Sequence, residues 1–297
     1  MPRVRVPATT ANLGPGFDTL GLALDLYNEV EVELASRAHI EIEGEGRDLL
    51  PLDESNMAYR AAVELFRRVE GKSPRFYIRL LNRIPIARGL GSSAAALVGA
   101  LVGANALLDD PRPLEDLIML AAELEGHPDN TTPAFIGGLV AVAVIENKVC
   151  WRRLPLPQGL HLIAVIPHFR LSTQEARSIL PLQVPFKDAV FNLNRLALML
   201  AASWEGDLKL MGQMMEDRLH QPYRLQLIPG AEEAIAAAKE AGALGVALSG
   251  SGPTLVALCH VPLPQVGEAM ARAFIRQGIT ASIKILRPSP EGAAILE

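Results

Sequence analysis

The sequence has little that would hold a polyanionic or lipid partner. Its 28 lysines and arginines are outnumbered by 33 aspartates and glutamates, giving a net charge of −5, and no basic cluster stands out. Nucleic-acid binding needs a basic face, so no nucleic-acid partner is expected. Cysteine is nearly absent. Cys150 and Cys259 lie far apart in apolar, strand-like stretches, with no cysteine or histidine at metal-ligand spacing, which predicts buried free thiols. No apolar run reaches membrane length, and the most apolar stretch, Ser92 to Leu108, is broken by Gly99, Gly103 and Asn105. Met1 to Pro7 has no apolar signal-like core. A cytoplasmic protein with no membrane partner is expected.

What is present is a chain of 297 residues, 49% hydrophobic, enough for a sizeable core and roughly two domains. Val30, Val32 and Leu34 alternate with Glu29, Glu31 and Glu33 as in a half-buried strand, and Ile40 and Ile42 repeat the pattern. Ser55 is expected to cap a helix carrying Ala58, Ala61, Ala62, Leu65, Phe66 and Val69, followed by a strand through Phe76, Ile78 and Leu80. Helices are expected over Ser92–Leu108 and from Pro113 to Glu125, then a strand over Phe135–Ile145 and its hairpin partner over Lys148–Leu154. Leu154 to Gly159, punctuated by two prolines and a glycine, divides the chain into expected domains 1–154 and 160–297. Beyond it the order is strand (His161–Ile166), a helix begun by Ser172-Thr173-Gln174-Glu175, and long helices over Phe191–Ser203 and Asp207–Leu219. A helix over Ala231–Ala241 follows, then strand (Leu244–Ser249), strand (Thr254–His260), helix (Pro264–Gln277) and strand (Thr280–Leu286). The class is α+β, with helices on one face of a sheet.

Four segments carry chemistry. In Ile84 to Ala95 a strand ends, Gly89 and Gly91 make a tight turn, and a helix begins at Ser92 and Ser93. Free N–H groups and the dipole at a helix start form an anion site. The loop lacks the Gly-Lys-Ser/Thr of a Walker A, and it is a poor dinucleotide fingerprint. Val6 to Gly21 reads as an irregular glycine-proline turn with Asn12 and Asp18 set among apolar residues; capping those turns is the plainer role for both. Glu123, Glu125, His127 and Asp129 crowd one helix end, where a mild dipole penalty hints at a local cation. Ser249 to Thr254 is a glycine turn between two strands.

Together these segments resemble the GHMP kinases. The three motifs of that superfamily are matched in order by Asn12 to Asp18, Gly89 to Ala95 and Ser249 to Thr254. Within it, the chain is similar to the homoserine kinases in Pro7 to Asp18, Gly126 to Asn130, Ser172-Thr173 with Ala176-Arg177, and Pro222-Tyr223-Arg224 before Ile228-Pro229-Gly230. The resemblance implies a two-domain GHMP kinase fold, with an N-terminal domain like the second domain of ribosomal protein S5 and a ferredoxin-like C-terminal domain. It implies transfer of the γ-phosphoryl group of ATP to L-homoserine, in threonine biosynthesis, with Mg2+ and as a homodimer.

Residue by residue, the implied nucleotide site is Ile84, Pro85, Ile86, Ala87, Arg88, Gly89, Leu90, Gly91, Ser92, Ser93 and Ala94. Asn56 is either an adenine contact or a plain cap. Ser93 and Glu125 are the implied magnesium ligands, with Glu123 as the alternative acid. Homoserine is a zwitterion, so its site needs donors for a carboxylate and acceptors for an ammonium. Arg177 and Arg224 suit the carboxylate. Asn12, Asp18 and Asp129 are the acceptors, with His127 and Thr173 nearby in the family pattern. Arg177, Glu125 and Asp129 are the expected catalytic residues. Asp129 is also the one candidate general base in a matched motif, and a base-free mechanism that relies on positioning is the alternative.

Overall fold

The computed structural model describes residues 1–296; position 297, the end of the second expected domain, lies outside them. The first half builds one sheet from β1 (Arg3–Asn12), β2 (Gly16–Ala35) and β3 (His39–Gly44), then β4 (Arg75–Asn82) after helix α1 (Met57–Glu70). Helices α2 (Ser92–Asn105), α3 (Leu114–Glu125) and α4 (Pro128–Ile136) precede the hairpin β5 (Leu139–Ile145) and β6 (Lys148–Leu154). β1, β2 and β4 pair antiparallel, while β3 and β4, joined through α1, pair parallel. Val30 and Val32 face α2, which comes close because Gly99 and Gly103 carry no side chain. A Cβ on either would meet Val30 at 2.5 Å or Val32 at 2.7 Å. The glycines that interrupt the apolar run therefore seat the helix on the sheet.

The second half begins with β7 (His161–Pro167), followed by helices α5 (Thr173–Ser178), α6 (Phe186–Glu205), α7 (Leu208–Gln213), α8 (Gln221–Arg224) and α9 (Ala231–Glu240). It closes with β8 (Gly245–Leu248), β9 (Leu255–Cys259), α10 (Pro264–Arg276) and β10 (Ala281–Leu286). Its four strands are antiparallel in the order β10-β7-β9-β8. A last strand, β11 (Ala294–Leu296), crosses back and pairs with β1 in the first sheet.

Several expectations are corrected. Val6 to Gly21 is mostly strand, and only the tip between β1 and β2 is irregular. Asn56, not Ser55, caps α1: its side chain accepts the Ala58 N–H at 3.0 Å. The expected strand from Phe135 starts at Leu139, because residues 128–136 are helical with Pro128 at the first turn and Asp129 beside the positive helix end. The expected helix over Asp207–Leu219 stops at Gln213. Asp217 then folds back, taking the His220 and Gln221 N–H groups at 2.8 and 2.7 Å as the start of α8. Leu34 is exposed, whereas Glu29 and Glu31 are buried beneath Arg3, Arg79 and Arg83. Cys259 is buried, but Cys150 is exposed. Among the described residues no helix is long and apolar enough to cross a membrane.

Candidate active site

The three glycine-bearing segments meet at one end of the first sheet. Leu90 C=O accepts the Thr9 N–H at 3.1 Å, and Ala11 C=O accepts the Gly250 N–H at 3.2 Å. Asn12 Nδ2 donates to Gly250 C=O at 3.0 Å. Ser249 Oγ lies 2.6 Å from Gly89 C=O and 2.8 Å from Thr10 Oγ1, so it donates to the first and accepts from the second. The Ser249–Thr254 turn closes the β8–β9 hairpin and also straps the back of the loop. It also explains the glycines. Gly89 and Gly91 have φ of 77° and 70°, and a Cβ would collide with Ser249 C=O or Thr9 Oγ1 respectively. Behind Gly91, α2 begins at Ser92 with no side-chain cap, leaving its first N–H groups for an anion.

The cleft in front of this loop is lined by Pro85, Ala87 to Ser93, Glu125, His127, Asp129, Asn130, Leu171 to Thr173, Arg177, Arg224, Asn12, Asp18, Gly250 and Ser251. Ile84 and Ala94 are instead buried in the core, and Ile86 packs toward Gly46. Asn56 also stays out of the cleft. Its Oδ1 caps α1 and its Nδ2 donates to Pro51 C=O at 2.8 Å.

Ser93 Oγ donates to Glu125 Oε2 at 3.1 Å, and that hydroxyl is the carboxylate's one hydrogen-bond partner among the described residues. Burial pushes the Glu125 acid above the usual carboxylate range. Glu123 is turned away onto Arg68, at 2.7 Å. No group of three or more carboxylate, histidine or cysteine ligands occurs among the described residues. A half-buried carboxylate and one hydroxyl beside a phosphate loop fit a divalent ion that takes most of its ligands from phosphate and water.

Asp129, in the first turn of α4, receives His127 Nδ1 at 2.9 Å and Asn130 Nδ2 at 3.4 Å. That bond to Asp129 raises the His127 pKa. Asn130 Oδ1 in turn accepts the Thr9 hydroxyl at 2.8 Å. Opposite stand the two arginines. Arg177 holds Asp18 bidentately at 2.8 and 3.1 Å, both side chains being about a third exposed. Arg224 is 2% exposed, with Nε on Ala176 C=O and Nη1 on Gly250 C=O, both at 3.1 Å. Among the described residues its Nη2 makes no hydrogen bond. Burial, then the neighbouring Arg177 charge, lowers its pKa to about 10. The Phe17 ring lies 5.1 Å from the Arg224 guanidinium and 5.7 Å from that of Arg177. Thr173 Oγ1 sits at the rim, 3.5 Å from Ser251 Oγ.

His220, which carries no sequence motif, is fully buried here. It stacks on Phe17 at 5.0 Å, and burial lowers its pKa. Gly14 C=O, 2.9 Å from Nε2, can only accept, so the neutral ring carries its proton on Nε2. Nδ1 then faces Arg224 Nη1 at 3.4 Å as an acceptor. The spacing of four between His220 and Arg224 was the available signal. For Asn130 and Phe17 it was their place inside matched segments.

Two family descriptions match: "GHMP kinases N terminal domain" over residues 56–138 and "GHMP kinases C terminal" over residues 198–276. A homoserine kinase of Moorella thermoacetica is 55% identical over 100% of both chains. The crystal structure of a homoserine kinase from Cytophaga hutchinsonii superposes with a TM-score of 0.89 at 32% identity, covering 99% of this chain and 96% of that one. L. major mevalonate kinase, solved with R-mevalonate, shares the fold at 16% identity, with a TM-score of 0.70 over 96% and 95% of the two chains.

Proposed function

The chain belongs to the homoserine kinases of the GHMP kinase superfamily, and from that premise we propose how its cleft divides the work. It is an ATP-dependent kinase that phosphorylates L-homoserine to O-phospho-L-homoserine. The finer reading is a cytoplasmic homodimer serving threonine biosynthesis. The observation that carries the site assignment is the segregation of charge. The uncapped start of α2 with Ser93 and Glu125 forms one wall, and Arg177 and Arg224 form the other.

The loop from Ala87 to Ser93 holds the phosphates through backbone N–H groups. Ser93 and Glu125 would hold Mg2+, which would neutralise phosphate charge that these residues alone cannot. The Arg177–Asp18 pair opens around the zwitterion: Asp18 takes the ammonium and Arg177 the carboxylate, both side chains being about a third exposed. Arg224 gives the carboxylate its remaining Nη2 donor. Asn12 shapes this pocket, since its Oδ1 accepts the Asp18 N–H at 3.1 Å. Asp129, fixed by His127 and Asn130, binds substrate and orients the hydroxyl toward the loop. Transfer then rests on positioning and charge neutralisation.

Purified protein given ATP and Mg2+ with L-homoserine, R-mevalonate or galactose tests this. ATP consumption with homoserine, and a phosphate monoester of homoserine by phosphorus NMR, is the expected result. Equal turnover of mevalonate or galactose, or none of homoserine, overturns the reading.

A further inference from the structure

Among the described residues every arginine is either exposed or paired with a carboxylate, except Arg88 and Arg224. A guanidinium drawn out of water with no acid beside it is unfavourable, and an anion from outside the chain relieves it. Both side chains line the cleft. Arg224 has its anion in the homoserine carboxylate. Arg88 stands on the other wall, directly before Gly89, and is half-buried. Its side chain makes one hydrogen bond, from Nη1 to Ala87 C=O at 3.2 Å.

The backbone explains where Arg88 points. Ala87 takes a φ of 51°, a left-handed turn that few side chains tolerate. The strap behind the loop then engages the main chain, because Arg88 C=O accepts the Thr254 N–H at 3.4 Å. The side chain is left to the cleft. From the second half, Arg170 follows β7 and directly precedes Leu171 to Thr173, which line the same cleft. Arg170 is exposed, and among the described residues it makes no hydrogen bond or ion pair. Burial first, and then the Arg170 charge, lowers the Arg88 pKa, so the two cations stand near each other. Glu45 opposes this shift without forming an ion pair with either.

Resting on the reading that Ala87 to Ser93 hold phosphate, we propose that the Arg88 and Arg170 side chains clamp the polyphosphate of ATP from the two halves of the chain. They supply the positive charge that a lysine supplies in a Walker A loop, which this chain lacks. Guanidinium suits the task, since its planar donors bind phosphate oxygens in pairs. Without an anion the two charges repel; a polyphosphate between them turns that repulsion into a shared attraction.

Isothermal titration calorimetry of the full-length protein with Mg2+ and the ATP analogue AMP-PNP tests the clamp. Arg88→Met should weaken binding at least about tenfold, the loss of a charge-assisted hydrogen bond, while the KM for homoserine stays unchanged. Arg170→Met, at an exposed position, should weaken it about threefold. Arg88→Lys should recover most of the affinity. Binding should also fall less steeply with added salt in Arg88→Met than in the wild type. Unchanged affinity in either methionine variant overturns the clamp. So does a loss in Arg88→Met with the wild-type salt dependence, the result expected if the bond to Ala87 C=O merely shapes the loop. A wild type that binds no AMP-PNP overturns the phosphate reading of the loop together with the clamp, whereas the other failures leave that reading standing.

Discussion

The two walls of the cleft are built in opposite ways. The phosphate wall is local and mostly backbone: a twelve-residue stretch turns on Gly89 and Gly91 and presents the bare start of α2. The substrate wall is assembled from side chains brought across the chain. Asp18 reaches Arg177 over 159 positions, and His220 reaches Gly14 over 206. Backbone N–H groups suit a phosphate common to many kinases, while placed charges suit one particular zwitterion. A division of labour follows, and it can be broken from either side.

The largest effect should come from Arg224→Ala. Removing a buried guanidinium that faces a carboxylate costs about 3 kcal/mol or more. The KM for homoserine should rise by at least about 100-fold, while the KM for ATP moves little. Steady-state kinetics with each substrate varied will show this. Equal changes in both constants would mean the walls do not act separately. On the other side, Ser93→Ala should leave the homoserine KM alone and raise the Mg2+ needed for half-maximal rate. Loss of even an outer partner of a metal costs about 10- to 100-fold, and Ser93 should cost at least that. A magnesium titration that matches wild type would remove Ser93 from the metal site.

The same contrast explains what the sequence made legible. Gly89 to Ser93 and the Ser172 cap on α5 are signals written within a few residues, and both elements form where the pattern places them. Helix α4 is hidden in the sequence because Phe135 begins an apolar run that looks like a strand, although Pro128 at its first turn points to a helix. The strap role of Ser249 depends on Thr10 and Gly89, and β11 depends on β1; neither partner is local. The Arg177–Asp18 pair had each member assigned to the substrate, and nothing near either residue announced that they hold each other first. Asn56 shows the reverse case. Its motif left an adenine contact and a plain cap both open, and its bonds within its own loop satisfy both ends of the amide.

His220 sharpens the comparison at smaller scale, because it links the Gly14 turn to Arg224. His220→Asn keeps an acceptor near the Nδ1 position, whereas His220→Gln keeps a donor near Nε2. If orientation of Arg224 is what matters, Gln should raise the homoserine KM about tenfold, the cost of roughly one hydrogen bond, and Asn should raise it less. The reverse order would place the role of His220 in the Gly14 turn.

The smallest effect separates, by pH, two histidines behind the substrate-binding residues. His127, bonded to Asp129, has a raised pKa, so its stabilising contribution is complete below the unfolded value of about 6.5. That contribution is lost as pH rises through the higher folded value. His220 is shifted the other way by burial. Its neutral form is favoured in the fold, so stability is intact above about 6.5 and falls as pH drops toward the lowered value. Thermal melts between about pH 5 and 8 should therefore show two shallow limbs. His127→Asn should flatten the alkaline limb and His220→Asn the acid one, each by about 2–4 °C at most. Variants that flatten the same limb would show that the two histidines answer to one shared network, so that the supports of Asp129 and Arg224 are not electrostatically separate.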